Sequence, residues 1–192
     1  MASPDQRIVL LRHGQTEWSV AGKHTGRTDV ALTADGEAQA AAVAGRLPDG
    51  PYDLVLTSPL RRAADTARLA GFPDAEPDPD LLEWDYGTVE GRTTAEIRRD
   101  QPTWDIWRDG APGGEAVDAI GERVDRVIAR TRAVEGSSLL VAHAHVLRVL
   151  AARWLGLPPE GGRYFPLDTT HWSVLAWQRE TAVISTWNVG SP

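Results

Sequence analysis

Cysteine is absent from the chain. Its absence rules out a thiol nucleophile, a thiolate zinc centre and a disulfide scaffold, and it fits a reducing compartment. Long apolar runs are missing as well, since no stretch approaches the roughly 18 residues that a membrane span needs. Nor do residues Met1 to Arg12 show the basic start and apolar segment of a secretory signal. Basic charge is in the minority, with 20 Lys and Arg against 27 Asp and Glu for a net charge of −7. A net acidic chain has no overall field to gather polyanionic nucleic acid. These absences predict a cytoplasmic protein with no membrane and no nucleic-acid partner, and they leave a homodimer open.

What is present is an ordinary globular composition. Of 192 residues, 42% are hydrophobic and 24% charged. A chain of this length buries roughly 70% of its unfolded surface and needs neither disulfides nor structural metal. A single domain over residues 1–192 is expected, with no internal repeat or low-complexity segment.

Three short aliphatic runs read as buried strands: Arg7–Leu11, Tyr52–Leu56 and Ser138–Ala142. Thr33 is a helix N-cap with Asp35 in the first turn and Ala38, Ala41, Ala42 and Leu47 on the apolar face. Ser58 and Pro59 read as the N-cap and first residue of a helix running to about residue Ala70. Short helical pieces are expected at Thr94–Arg99 and Thr103–Trp107, and the longest helix at Ala116–Ala133, with Val117, Ile120, Val124, Val127 and Ile128 at helical spacing. Val146, Leu147, Val149, Leu150 and Trp154 mark one more, ended by Pro158 and Pro159. Phe72–Asp80 reads as a surface connection, Leu81 to Gly87 as a strand end and loop, and Trp172–Trp177 with Thr181–Trp187 as a hairpin or edge strands.

This alternation implies a three-layer α/β/α sandwich with a mostly parallel central sheet and right-handed crossovers. In such sheets ligands sit beyond the carboxyl ends of the strands. Arg12 and His13 follow the first strand and His143 the third. Two histidines far apart in sequence can therefore meet over that edge.

The block Leu11-Arg12-His13-Gly14-Gln15-Thr16-Glu17-Trp18 resembles the signature of the histidine phosphatase superfamily, which includes the cofactor-dependent phosphoglycerate mutases and many phosphatases. Four further blocks follow in the family's order: Thr25-Gly26 with Leu32-Thr33, Thr57 to Ala63, Glu83-Trp84-Asp85-Tyr86-Gly87, and Ala142 to Arg148. The resemblance covers almost the whole chain. It implies hydrolysis of a small phosphorylated substrate through a phosphohistidine, with no metal and no other cofactor. His13 is the implied nucleophile and Glu83 the general acid. Arg12 and Arg62 are the implied forks for phosphoryl oxygens, with His143 as a charged or donating partner.

Chemistry asks for such residues. A phosphomonoester carries about −1.5 to −2 charges at neutral pH, and planar guanidinium forks match its oxygens better than lysine does. A neutral imidazole is a good nucleophile once one nitrogen is held as N–H. Because an alkoxide is a poor leaving group, a carboxyl must deliver a proton as the bond breaks.

Alternatives stand beside several of these assignments. Arg61 competes with Arg62, and Asp85 and Glu90 with Glu83. His143 and His145 also have metal-ligand spacing, which keeps open a metal hydrolase using His13, His143 and His145. His145 stands where the mutases have asparagine and resembles a phosphatase branch reading His-Gly-His, with Ala144 at the glycine position. Trp104, Trp107 and Arg108 resemble the lid segment of a sugar-bisphosphatase branch that shares Glu-Trp-x-Tyr-Gly and the serine at Ser19; the other reading has both tryptophans anchoring a short helix to the core. Ser19, Thr25, Gly26, Ala144, His145, Trp104, Trp107 and Arg108 are thus the candidate substrate contacts. His24 lies at the edge of that pocket, and His171 reads as packing. The short chain favours a phosphatase over a mutase, and a non-catalytic binder of phosphorylated ligands is a third class.

Overall fold

The computed structural model describes residues 6–190. Six strands form one sheet: β1 (Arg7–Arg12), β2 (Tyr52–Thr57), β3 (Glu76–Pro77), β4 (Ser137–Ala142), β5 (Trp172–Gln178) and β6 (Thr181–Val189). Their order across the sheet is β3-β2-β4-β1-β5-β6. The pairs β1–β4, β2–β4 and β2–β3 are parallel, while β5 runs antiparallel to both β1 and β6. The register of β1 on β4 runs from Ile8 opposite Ser138 to Arg12 opposite Ala142. Both strands therefore end level, and His13 and His143 leave the sheet side by side.

Seven α-helices accompany the sheet: α1 (Glu17–Val20), α2 (Ala34–Val43), α3 (Arg61–Leu69), α4 (Thr94–Asp100), α5 (Ile106–Asp109), α6 (Val117–Arg132) and α7 (Ala144–Trp154). Successive side chains of a strand face opposite ways, and the two faces of β1 are both covered. Ile8 and Leu10 pack with Leu140 and with Val124, Val127, Val146 and Leu150 of α6 and α7. Val9 and Leu11 pack with Leu139 and Val141 and with Val43 and Ala67 of α2 and α3. Burial on both faces is why these strands read as continuous apolar runs. The result is the expected mixed α/β fold with a mostly parallel sheet. No helix among the described residues is long and apolar enough to cross a membrane.

Three local expectations are corrected. Helix α2 does start after the Thr33 cap, whose hydroxyl accepts from the Gly36 N–H, but it buries Gly36, Ala40 and Val43 rather than Ala38, Ala41 and Ala42. Small residues all round this helix gave its sequence no strong face, so tertiary packing chose one. Ser58 is not a helix cap: α3 begins at Arg61 with Leu60 as N-cap and no side-chain cap. The strand expected near Leu81 lies instead at Glu76–Pro77, inside the stretch read as a surface connection.

One buried ion pair holds the loop that follows β3. Arg123 of α6 bonds Glu115 at 2.7 Å and donates to the Asp80 and Leu82 carbonyls, while the Trp84 indole N–H reaches the Glu115 carbonyl at 2.8 Å. Glu83 sits between those anchor points. Arg123→Ala strands a buried carboxylate, so it should lower unfolding stability by about 3 kcal/mol. Urea unfolding measures this, and a loss under about 1 kcal/mol would show the pair is not holding the loop.

Candidate active site

A cavity of about 320 Å³ opens beyond the carboxyl ends of β1 and β4, and Arg12, His13, Glu83, Tyr86, His145 and Arg148 are among its lining residues. A larger hollow of about 680 Å³ lies at the amino ends of the parallel strands, near Arg7, Asp53 and Ser137, and no histidine lines it. The chemistry-bearing side chains gather in the smaller one.

His13 is 5% exposed, and its ring centroid lies 5.1 Å from that of His143. Its Nδ1 meets the Gly14 carbonyl at 2.7 Å, so Nδ1 carries the proton and the Nε2 lone pair is free. Burial, and then Arg12 and Arg62, hold this imidazole well below its usual proton affinity. Gly14 is required here, because a Cβ on it would sit 2.6 Å from the Gly36 carbonyl oxygen.

Arg12 anchors one end of its fork on the Leu167 carbonyl at 2.6 Å. Its Nε is buried and has no partner among the described residues. Arg12 lines the cavity, and its guanidinium suits an incoming oxygen there. The N–H of Ala144, at the first position of α7, also has no internal acceptor among the described residues, and helix N-termini bind anions.

His143 and Arg62 are both fully buried. Arg62 Nε donates to His143 Nδ1 at 3.1 Å, and the rest of its fork reaches the carbonyls of Thr28, Thr25 and Gly26 at 2.9–3.1 Å. Since arginine keeps its protons, His143 Nδ1 must be a bare acceptor. The remaining proton sits on Nε2, which donates to Ser58 Oγ at 2.7 Å. Burial, and then Arg62 and His13, hold His143 well below its usual proton affinity. One expectation changes as a result, and two alternatives close. Of Arg62's five N–H groups four serve His143 and the loop around residues 25–28, rather than an open fork for phosphoryl oxygens. His143 is a neutral donor and not a charged one, and neither of its nitrogens is free for a metal ion. The alternative Arg61 is exposed and pairs with Asp65.

Glu83, 4% exposed, lies at the cavity and caps α7 from outside the helix. Oε1 accepts from the Trp84 and Val146 N–H groups at 2.9 and 3.0 Å, and Oε2 from the His145 N–H at 3.0 Å. The lone pairs of Oε1 are filled, which leaves Oε2 as the oxygen able to carry a proton. The competing carboxylates are engaged elsewhere: Glu90 accepts from the N–H groups of Arg27 and Thr28, and Asp85 from that of Gly87.

Around this centre, Ser19, Thr25, Ala144 and His145 line the cavity, and so does His24. The Ser19 hydroxyl, however, is engaged in the cap of α1, accepting from the Thr16 N–H and donating to the Thr16 carbonyl. Gly26 lies one layer back. Its carbonyl holds Arg62, and a Cβ on it would sit 2.5 Å from the Trp84 carbonyl oxygen. Trp104 and Trp107 are 2% and 7% exposed and stand behind the lining: Trp107 packs against His145 at 5.1 Å and Trp104 edge-on to His24 at 5.3 Å. Arg108 is exposed and faces Asp109 and the Thr103 carbonyl, outside the cavity. His171 bonds the Thr169 carbonyl and does not line the cavity. Tyr86, Arg148 and Lys23 do line it. Tyr86 and Arg148 stood inside the recognised blocks without a role, and Lys23 is the one lysine of the chain. Ser58 was misread as a cap because its hydroxyl is turned toward His143.

A free nitrogen lone pair, a guanidinium edge without an acceptor, a helix N-terminus and a carboxyl with one open oxygen surround one cavity. They define a site for a compact oxyanion with a nucleophile and an acid at hand. The model of the histidine phosphatase superfamily (branch 1) matches residues 8–190, and the chain belongs to that family. It is 39% identical to an acid phosphatase of Mycobacterium tuberculosis, over 96% of this chain and 94% of that protein. It is 37% identical to sedoheptulose 1,7-bisphosphatase of Saccharomyces cerevisiae, over 82% and 70%. A solved structure of the Mycobacterium tuberculosis open reading frame Rv3214 superposes with a TM-score of 0.91 at 36% identity, covering 97% of this chain and 98% of that one. The protein is a histidine phosphatase.

Four histidines of the site, two of them buried and two half-buried, also set an acid limit on the fold. Burial keeps His13, His143 and His145 well below the ordinary value of 6.5 and lowers His24 to about 4. Below pH 6.5 the unfolded chain binds protons that the native state refuses, so stability falls as pH drops from about 6.5 toward 4. Denaturant midpoints at pH 7 and pH 5 should show that drop, with net proton uptake on unfolding. A midpoint that holds or rises would contradict the assignment.

Proposed function

We propose that the chain, acting as one domain, hydrolyses phosphomonoesters of small metabolites, sugar phosphates among them, through a phosphohistidine on His13. The observation that carries this reading is the pairing of a bare His13 Nε2 with the Arg12 guanidinium in one cavity. The cavity volume, about 320 Å³, fits a small ester. The name of the yeast bisphosphatase relative supports a sugar phosphate.

Arg12 and the Ala144 N–H receive the phosphoryl oxygens and hold phosphorus against His13. Nε2 gives its lone pair to phosphorus as the P–O bond to the alcohol breaks, and the leaving oxygen takes the proton from Glu83 Oε2. Charge spread over the equatorial oxygens in this step is stabilised by the same donors. In the second half, the Glu83 carboxylate takes a proton from a water whose oxygen attacks phosphorus. The N–P bond breaks, His13 recovers its lone pair, and inorganic phosphate leaves. Arg62 and Ser58 hold His143 neutral and fixed beside His13.

His13→Ala should abolish both turnover and the trapping of an acid-labile phosphoenzyme. Retained activity would remove His13 as the nucleophile. Glu83→Gln should slow alkyl phosphates on the order of a hundredfold and aryl phosphates less, because aryl leaving groups need less protonation. Equal losses on both would point to another acid.

A further inference from the structure

The backbone around the His13 ring offers the N–H and carbonyl of His13 and the N–H and carbonyl of Gly14. Three of these groups are satisfied by main chain or by the ring itself. The His13 N–H donates to the Ala142 carbonyl at 2.9 Å, the His13 carbonyl accepts from the Thr170 N–H at 3.2 Å, and the Gly14 carbonyl meets the ring Nδ1 at 2.7 Å. The Gly14 N–H instead donates to a side chain, the hydroxyl of Thr66 on α3, at 2.9 Å.

Thr66 is fully buried, and its own proton goes to the Arg62 carbonyl one turn back at 2.6 Å. That back-bond fixes the hydroxyl rotor, so a lone pair of Oγ1 faces Gly14. The hold matters because glycine resists rotation least of all residues. The Gly14 N–H lies in the peptide plane before its Cα and the Gly14 carbonyl in the plane after it. Thr66 thus anchors the plane from which the carbonyl on His13 Nδ1 would otherwise swing.

We infer that Thr66 is a positioning residue for the nucleophile: by holding the Gly14 N–H, it keeps the Gly14 carbonyl on His13 Nδ1 and the lone pair on Nε2. Arg62 precedes it by one turn on the same buried face of α3 and fixes the proton of His143. One turn of α3 therefore sets both imidazoles, His143 through a guanidinium and His13 through a hydroxyl. With a methyl group in place of that hydroxyl, a buried donor loses its acceptor, and the peptide turns to find another. The His13 ring is then free to carry its proton on Nε2, where it has no lone pair to give to phosphorus.

This role rests on His13 as the nucleophile, and two readouts separate the two statements. Thr66→Val, which replaces the hydroxyl by a methyl group, and Thr66→Ser, which keeps the oxygen, are compared with the wild type by nitrogen-15 histidine NMR and by steady-state kinetics on glycerol phosphate. In Thr66→Val the His13 signals should leave the pure Nδ1–H pattern while His143 keeps its Nε2 proton. Its kcat should fall by on the order of ten- to a hundredfold with KM nearly unchanged, because Arg12 and the Ala144 N–H still hold the phosphoryl group. Thr66→Ser should return both readouts most of the way to wild type. A Thr66→Val protein whose His13 is still protonated on Nδ1 alone would overturn the role, and so would a kcat within about twofold of wild type. In the wild type the Gly14 amide should exchange with deuterium as slowly as the amides of β1, and fast exchange would overturn the role without any variant. Turnover that persists in His13→Ala would instead strike the nucleophile and leave the tautomer result standing.

Discussion

A single hydrogen bond, from Arg62 Nε to His143 Nδ1 at 3.1 Å, constrains most of what surrounds the cavity. Arginine does not give up its proton in a protein, so the imidazole it faces must present a lone pair. That fixes His143 as neutral, fixes its remaining proton on Nε2, and directs that proton to Ser58 Oγ. The same guanidinium gathers the carbonyls of Thr25, Gly26 and Thr28, so one buried cation ties α3, the end of β4 and the loop after α1 into one body. Burial, and then Arg12 with Arg62, lowers the proton affinity of His13, which keeps its lone pair available. A phosphatase site must be cationic enough to receive a dianion and still hold its nucleophile uncharged. Burying two imidazoles beside two guanidiniums meets both demands.

The proposed acid is held by a related device. Glu83 has no helix of its own; it takes the place of a cap at the start of α7, where two helical N–H groups and the Trp84 N–H converge on its carboxyl. Helix α7 thus contributes its N-terminus twice, through the Ala144 N–H at the cavity and through the donors that set Glu83. The Arg123 network approaches the same loop from behind and keeps it against α6. The proposed acid and oxyanion donors are consequently fixed to one another and to the strand that ends at His143.

The fold was legible where periodicity and burial agree. The runs at β1, β2 and β4 are apolar on both faces because both faces are covered, and the level ends of β1 and β4 turned two separate histidines into neighbours. The identities of His13, His143, Arg62 and Glu83 were legible as well, because five motif blocks stand in order. The direction of each polar group was not. Whether the Arg62 fork opens to the cavity or to the Thr25–Thr28 loop depends on where loop carbonyls fall, and no local sequence pattern encodes that. Ser58-Pro59 satisfies the rules of a helix start, yet the helix begins at Arg61 because the serine hydroxyl is engaged by His143. Trp104 and Trp107 sit on the right segment but one layer deeper than a substrate contact, since large aromatic surfaces gain most by full burial. Weak amphipathicity explains α2, whose alanines could have packed on several faces.

The central claim is that His13 and His143 are both uncharged and carry opposite tautomers, one set by the Gly14 carbonyl and the other by Arg62. Nitrogen-15 histidine NMR of the wild-type protein at neutral pH reads this directly. The account predicts His13 protonated on Nδ1 with a bare Nε2, and His143 protonated on Nε2 with a bare Nδ1. A doubly protonated His143, or the same tautomer on both rings, would contradict it.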